Sequence, residues 1–222
     1  MELKEFFPFW DALTPAWQAG LREAALPRRV GKGERVHNGS EDCVGLLLLQ
    51  SGRLRVFIVT EEDREITLYR LFERDICLFS ASCMMPSIQF DVMVEAEEPA
   101  TFWQLPAKLY QKLMKECAPA ALFTNELMAT RFSDVMWVLD QILSKKLDAR
   151  LAALLLEEAA LQGEPRLSVT HEELARHLGS AREVITRMLK YFSAEGLVKL
   201  TRGGIALLDE GGLTDLAGDS LR

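Results

Sequence analysis

The stretch Thr170-His171-Glu172-Glu173-Leu174-Ala175-Arg176-His177-Leu178-Gly179-Ser180-Ala181-Arg182-Glu183-Val184-Ile185-Thr186-Arg187-Met188-Leu189-Lys190-Tyr191-Phe192 decides the fold. Its first four residues form a capping box: the Thr170 hydroxyl accepts from the Glu173 amide while the Glu173 carboxylate reaches back to the Thr170 amide, so a helix begins there. Gly179 follows Leu178 and stops that helix early. Ser180-Ala181-Arg182-Glu183 repeats the capping pattern and predicts a second helix almost at once. Two helices joined by so short a turn cross steeply, as in a helix-turn-helix. Leu174, Ala175 and Leu178 supply the apolar side of the first helix, and Val184, Ile185, Met188, Leu189 and Phe192 that of the second.

Arg182, Glu183, Thr186, Arg187 and Lys190 recur at intervals of one, three and four and share the remaining face of the second helix. Their chemistry suits a major groove. An arginine fork donates to guanine O6 and N7, a glutamate accepts from cytosine N4, and a threonine meets a thymine methyl; Lys190 suits a phosphate. From Gly196 to Leu208 the chain reads as two strands joined at Gly203-Gly204, a wing that carries Lys199 to the nucleic-acid backbone. A net charge of −7 argues against a polyanionic partner, but its distribution does not. Between Arg176 and Arg202 lie Arg176, Arg182, Arg187, Lys190, Lys199 and Arg202 against only Glu183 and Glu195. A non-DNA-binding ligand sensor or scaffold, with this basic helix merely solvated, is the competing reading.

Toward the N-terminus, the Ala- and Leu-rich run from Lys146 to Leu161 predicts a helix ended by Gly163 and Pro165. Before it, Met128, Phe132, Val135, Leu139 and Ile142 step by four and three, with Asn125 on the same seam and Lys146 closing it. Such a stripe fits the core positions of a coiled coil and asks for a partner helix; the alternative is a helix packed on its own domain. From Val30 to Leu105 the pattern turns to short β-rich runs between glycines. Leu54–Ile58 and Glu65–Leu71 read as a hairpin, with further strands at Phe90–Glu95 and Thr101–Leu105, which together suggest a β-sandwich or barrel. Glu2 to Leu26, interrupted by Pro8, Pro15 and Gly20, fits short helices.

The chain is 49% hydrophobic and 27% charged over 222 residues, ordinary values for a folded protein. No run approaches the roughly 18 apolar residues of a membrane span, and Met1-Glu2-Leu3-Lys4-Glu5 lacks the pattern of a secretory signal, so the expected location is cytoplasmic, with no membrane partner. Cys43, Cys77, Cys83 and Cys117 are widely spaced and are expected as reduced thiols, not as a disulfide framework. No Gly-rich phosphate loop, nucleophile elbow or His-rich metal spacing occurs, and His171 and His177 lie in the first helix of the helix-turn-helix. No catalytic residue, no metal site and no enzymatic activity are expected.

Over nearly its whole length the chain resembles the Crp/Fnr family of transcription regulators. Lys32-Gly33-Glu34, Gly39 and Leu47-Leu48-Leu49-Gln50-Ser51-Gly52-Arg53-Leu54 are similar to the turns and strands of that family's β-roll, and Arg182-Glu183-Val184-Ile185-Thr186-Arg187 to its recognition helix. The resemblance implies an α+β chain: an N-terminal double-stranded β-helix, like a cyclic-nucleotide-binding β-roll, over 1–117, a long dimerisation helix over 118–144, and a C-terminal winged helix-turn-helix over 145–222. It implies a homodimer on a near-palindromic operator with a TGTGA-like or TTGA-like half-site, acting with RNA polymerase. Glu183 and Arg187 would read bases, with Arg182 a further guanine reader and Thr186 the position that varies among subfamilies.

The sensor departs from cyclic-nucleotide-binding relatives. Arg74-Asp75-Ile76-Cys77-Leu78-Phe79-Ser80-Ala81-Ser82-Cys83-Met84-Met85 and Ser87-Ile88-Gln89-Phe90 lack the Gly-Glu pair and the Arg-Ser/Thr pair, and no Lys or Arg occurs between Arg74 and Lys108. A buried phosphate needs a cation or an array of amides, so cyclic AMP is not expected in the usual mode. The region is apolar and sulfur-rich, with Cys77, Phe79, Cys83 and Met84 as the effector-pocket candidates for an uncharged or apolar small molecule. Three alternatives stay open: an iron-sulfur cluster, although the N-terminal cysteine group of oxygen-sensing relatives is absent; haem on His37, Cys77, Cys83 or Met84; and a reversible thiol switch at Cys77 or Cys83.

Overall fold

Leu46-Leu47-Leu48-Leu49 is fully buried without alternation, because both faces of its strand are covered. The computed structural model describes residues 1–39, 43–84 and 91–221, and divides the chain into two units: Met1–Ile58 with Leu68–Val135, and Val59–Thr67 with Met136–Arg222. The first unit opens with single helical turns at Leu3–Glu5 and Trp10–Ala12, then helix α1 (Pro15–Ala24), capped by the Thr14 hydroxyl accepting from the Trp17 amide at 3.3 Å. Strands β1 (Leu26–Val30), β2 (Arg35–Asn38), β3 (Leu46–Ser51), β4 (Leu54–Val59), β5 (Glu65–Leu71), β6 (Ile76–Cys77), β7 (Met93–Ala96) and β8 (Ala100–Leu105) follow. They make two four-stranded sheets, ordered β1-β8-β3-β6 and β2-β7-β4-β5, and then come α2 (Ala107–Glu116) and α3 (Ala118–Ser144). Phe90, expected in a strand, lies outside the described residues.

Strand β3 shares its side chains between two cores. Leu46 and Leu48 join Phe6, Phe7, Trp10, Leu21 and Tyr110 under the N-terminal helices, where the Phe7 and Tyr110 rings stack at 6.0 Å. Leu47 and Leu49 join Leu54, Val56, Cys77, Phe79, Val94 and Phe102 between the sheets. Period-two geometry sends successive side chains to opposite faces, so an unbroken apolar run is what a strand buried on both sides requires.

The first unit's cations come from outside the window that lacks them in sequence. Arg55 on β4 is 1% exposed and faces Glu95 across the β4–β7 register, Nη2 to Oε1 3.5 Å, with its guanidinium 3.9 Å over the Phe57 ring. Arg70 and Arg53 both reach Glu97, at 3.0 and 2.8 Å. Arg131 on α3 meets Asp134 at 3.1 Å and Asp75 at 3.4 Å, and lies 4.7 Å over the Tyr69 ring. Burial works against the Arg131 charge, but Tyr69, Asp75 and Asp134 outweigh it and raise its pKa above the ordinary value.

Two expectations are corrected here. Met128 and Val135 do not lie on an exposed seam of α3: both pack against the inter-sheet core. The exposed row is Leu122, Asn125, Ala129, Phe132, Met136, Leu139 and Leu143, stepping by three and four, with Asn125, Phe132 and Leu139 common to both readings and Ile142 at its flank. The cysteines are not all reduced either, since Cys43 and Cys83 form a disulfide. The antiparallel register of β3 with β6 pairs Leu47 with Cys77, so the chain before β3 and the chain after β6 leave the sheet at the same end. That topology closes a sequence separation of 40 residues.

The second unit holds α4 (Leu147–Gln162), β9 (Arg166–Leu167), α5 (His171–Leu178), α6 (Arg182–Ala194), β10 (Val198–Thr201), β11 (Gly204–Leu207) and α7 (Glu210–Ala217). Helix α4 ends at Gly163 in the left-handed conformation, as its sequence predicts. Leu151, Leu155, Leu174, Ile185, Leu189, Phe192, Val198, Ile205 and Leu213 form one core. Helix α7 has no expectation behind it, because Gly211-Gly212 conceals its first turn; Asp209 starts it by accepting from the Gly212 amide at 2.9 Å. Arg150 of α4 donates from Nη2 to the Leu178 carbonyl at 2.9 Å, satisfying a group left open at the end of α5. Arg150→Ala therefore costs about 1–3 kcal/mol of unfolding free energy. Urea denaturation measures this, and an unchanged midpoint would show that water replaces the guanidinium without loss.

Candidate nucleic-acid interface

The α5 capping box forms as its sequence predicts. The Glu173 amide donates to the Thr170 hydroxyl at 3.1 Å and the Thr170 amide to the Glu173 carboxylate at 2.8 Å. Gly179 takes φ +67, and the Gly179 and Ser180 amides both close on the Ala175 carbonyl, which turns the chain within one residue. A side chain there meets Ile66 of the Val59–Thr67 segment, which also belongs to this unit: a Cβ would stand 2.6 Å from its Cγ1. That segment further places the Thr67 hydroxyl 2.8 Å from His177 Nδ1.

The second capping box does not form. Helix α6 begins after Ala181, which makes no side-chain cap. Ser180 precedes the N-cap by one residue because its amide is already used to end α5. Glu183 is therefore exposed on the first turn of α6 and takes no part in a cap. A carboxylate in that position still gains from the helix dipole.

Ile185, Leu189 and Phe192 point into the core, and Arg182, Glu183, Arg187 and Lys190 are exposed on the other side. None of these four takes part in an ion pair among the described residues. This sets them apart from Arg53, Arg55, Arg70 and Arg131, which are held by carboxylates. Thr186 is half-buried, its hydroxyl 2.9 Å from His171 Nδ1. Partial burial, and then the Arg182 charge, hold the His171 pKa below its ordinary value, so the ring is neutral near pH 7. Sequence reading missed His171 as the residue that orients Thr186, since the pair is 15 residues apart and made only by the crossing of α5 and α6.

The wing is a hairpin of β10 and β11, registered Val198 with Leu207 and Thr201 with Gly204, with β9 beside β11. Its turn is Arg202-Gly203, one residue earlier than the spacing suggests, with Gly203 at φ +83. Gly204 belongs to β11, where a Cβ would press on the Leu167 carbonyl oxygen. Lys199 and Arg202 are exposed on this hairpin.

The effector-pocket candidates separate. Cys77 and Phe79 are buried in the inter-sheet core, with the Phe79 ring 6.1 Å from Tyr69. Burial pushes the Cys77 thiol up, away from reactivity. Cys83 is instead exposed and bonded to Cys43, and the Met84 side chain lies outside the described residues. His37 is buried on β2. Among the described residues no three His, Cys, Asp or Glu side chains converge as a metal site, and no helix is long and apolar enough to cross a membrane.

Residues 149–216 match the Crp-like helix-turn-helix domain. A crystal structure from Eubacterium rectale ATCC 33656, described as a transcriptional regulator of the Crp/Fnr family, shares 54% identity with a TM-score of 0.93 over 96% of this chain and 98% of that one. Electron transport regulator A of Shewanella oneidensis is 28% identical over 86% of this chain and 78% of its own length. The cyclic AMP receptor protein of Thermus thermophilus is 26% identical over 95% and 96%. The β-sheet core, the long helix and the winged helix-turn-helix match the expected architecture, and likeness at more than half of all positions along both chains settles the kinship. This chain belongs to the Crp/Fnr family of transcription regulators, which are DNA-binding proteins and not enzymes.

Proposed function

We propose that the chain binds a near-palindromic operator in cytoplasmic double-stranded DNA as a homodimer. Helix α6 enters the major groove, and an effector or redox signal at the β-roll sets the affinity that RNA polymerase then feels. The observation that carries this reading is the row Arg182, Glu183, Arg187 and Lys190, exposed and without ion-pair partners among the described residues. An exposed arginine with no carboxylate to leave pays little to meet a base edge or a phosphate. Glu183 and Arg187 read bases, Arg182 reads a further guanine, Thr186 presents its methyl while His171 holds its hydroxyl, and Lys190 and Lys199 take phosphates. A second copy supplies the other half-site. Its place is supported by the exposed apolar row of α3, where Leu122, Phe132 and Leu143 are 61%, 66% and 75% exposed in the single chain.

Titration of palindromic duplexes at several salt concentrations tests the groove reading. Arg187→Ala lowers affinity by about 1–3 kcal/mol per protomer and relaxes the preference at one base pair, whereas Lys190→Ala weakens all duplexes alike and reduces the salt slope by about one. Affinity indifferent to salt, or unchanged by Arg187→Ala, defeats the proposal. The dimer has its own test in sedimentation equilibrium of Phe132→Glu and Leu139→Glu. Both variants run as folded monomers and lose operator binding, and a dimer persisting in both would place the interface elsewhere.

A further inference from the structure

Cys43 and Cys83 stand apart from the other two cysteines. Both are exposed, and both sit where the fold, not the bond between them, brings the chain together. The Gly45 amide donates to the Ser80 carbonyl at 3.2 Å, and the fully buried Ser80 hydroxyl donates to the Gly45 carbonyl at 2.7 Å and lies 2.9 Å from that of Cys77. Gly45 itself takes φ +97 against the Leu105 carbonyl, where no side chain fits. These contacts hold the segment before β3 and the helical turns Phe79–Met84 side by side whether or not the sulfurs are joined. The two α-carbons are 5.8 Å apart, inside the range a disulfide spans. Cys77 is sealed in the core and Cys117 is half-buried, so neither competes for an incoming oxidant.

The segment carrying Cys83 is also wired to α3. Phe79, at its start, packs in the inter-sheet core against which Met128 and Val135 of α3 lie, and its ring neighbours Tyr69, which in turn sits under Arg131 of α3. A change in how tightly Phe79–Met84 is held therefore reaches the helix on which the dimer is proposed to form, through side chains in contact.

We infer that Cys43 and Cys83 are a reversible thiol–disulfide pair through which peroxides or low-molecular-weight disulfides regulate this protein, resting on the DNA-binding reading above. With hydrogen peroxide, one thiolate attacks, the O–O bond breaks, and a sulfenic acid and water result. The second sulfur then displaces the sulfenic oxygen as water. In sum two thiols and one peroxide give one disulfide and two waters, and two molecules of a small thiol reverse the reaction, leaving as their own disulfide. This moves the switch from Cys77 or Cys83 alone to a pair that includes Cys43.

The test uses the full-length protein equilibrated against graded ratios of reduced and oxidised dithiothreitol. Free thiols are counted by maleimide labelling with mass spectrometry, duplex affinity is measured in each state, and hydrogen exchange is followed along α3. Reduction is expected to expose two further labelling sites, at Cys43 and Cys83, and one equivalent of peroxide to remove them. Affinity is expected to differ at least about fivefold between the states, the lower end of ordinary coupling between sites. Cys43→Ser and Cys83→Ser hold one affinity regardless of peroxide. A bond that resists reduction, or equal affinity in both states, overturns the inference. If neither state binds any duplex while α3 exchange still follows the redox state, the pair stands and the DNA-binding reading falls.

Discussion

The contact on which the arrangement turns is that of Arg131 with the roll. A guanidinium that is largely withdrawn from water, lying over the Tyr69 ring and bonded to Asp75 and Asp134, fixes the rotation of α3 about its own axis. Removing one partner would leave a buried charge uncompensated, which is why such a group pins geometry more firmly than a surface ion pair does. Once that rotation is set, Met128 and Val135 must face the sheets, and Leu122, Phe132, Met136, Leu139 and Leu143 must face outward. The proposed dimer inherits its seam from that contact.

The same helix shows what the amino-acid sequence carries and what it conceals. The apolar period along α3 is plain, and it correctly gives a helix. It does not say which row is exposed, because apolar residues occupy two neighbouring sides, and the inward pair Met128 and Val135 repeats at the same interval as the outward pair Ala129 and Met136. One position on a helix is about 100° of rotation, enough to exchange buried for exposed. Only the long-range tie at Arg131 discriminates between them. The helix-turn-helix was legible for the opposite reason: Thr170, Glu173 and Gly179 act within a turn or two of themselves, so its first helix, its turn and its core side follow from local chemistry. The failure at Ser180 is instructive, since a capping pattern overlapping a helix end competes for the same amide and loses.

Long-range partners also account for what spacing along the chain does not show. The stretch between Arg74 and Lys108 lacks cations, but β4, β5 and α3 bring Arg55, Arg70 and Arg131 to the roll from positions far away in sequence. Likewise no spacing rule joins Cys43 to Cys83; the β3–β6 register does. What the cations encounter then matters more than their number. In the roll each is answered by Glu95, Glu97, Asp75 or Asp134, and so adds order without adding net charge.

That division of the basic residues accounts for how an acidic chain can present a face to DNA. With a net charge of −7, most approaches of a polyanion are repelled, and the paired arginines of the roll do nothing to offset this. Arg182, Arg187, Lys190, Lys199 and Arg202 lie on α6 and the wing, where the described residues give them no ion-pair partner. At the roughly 8 Å screening length of physiological salt, a phosphate near α6 senses those local charges far more than the total. The acidic remainder then acts as a filter on orientation: nonspecific adhesion through other surfaces is disfavoured, and the encounters that persist are those the proposed groove reading requires, with Glu183 and Arg187 toward base edges.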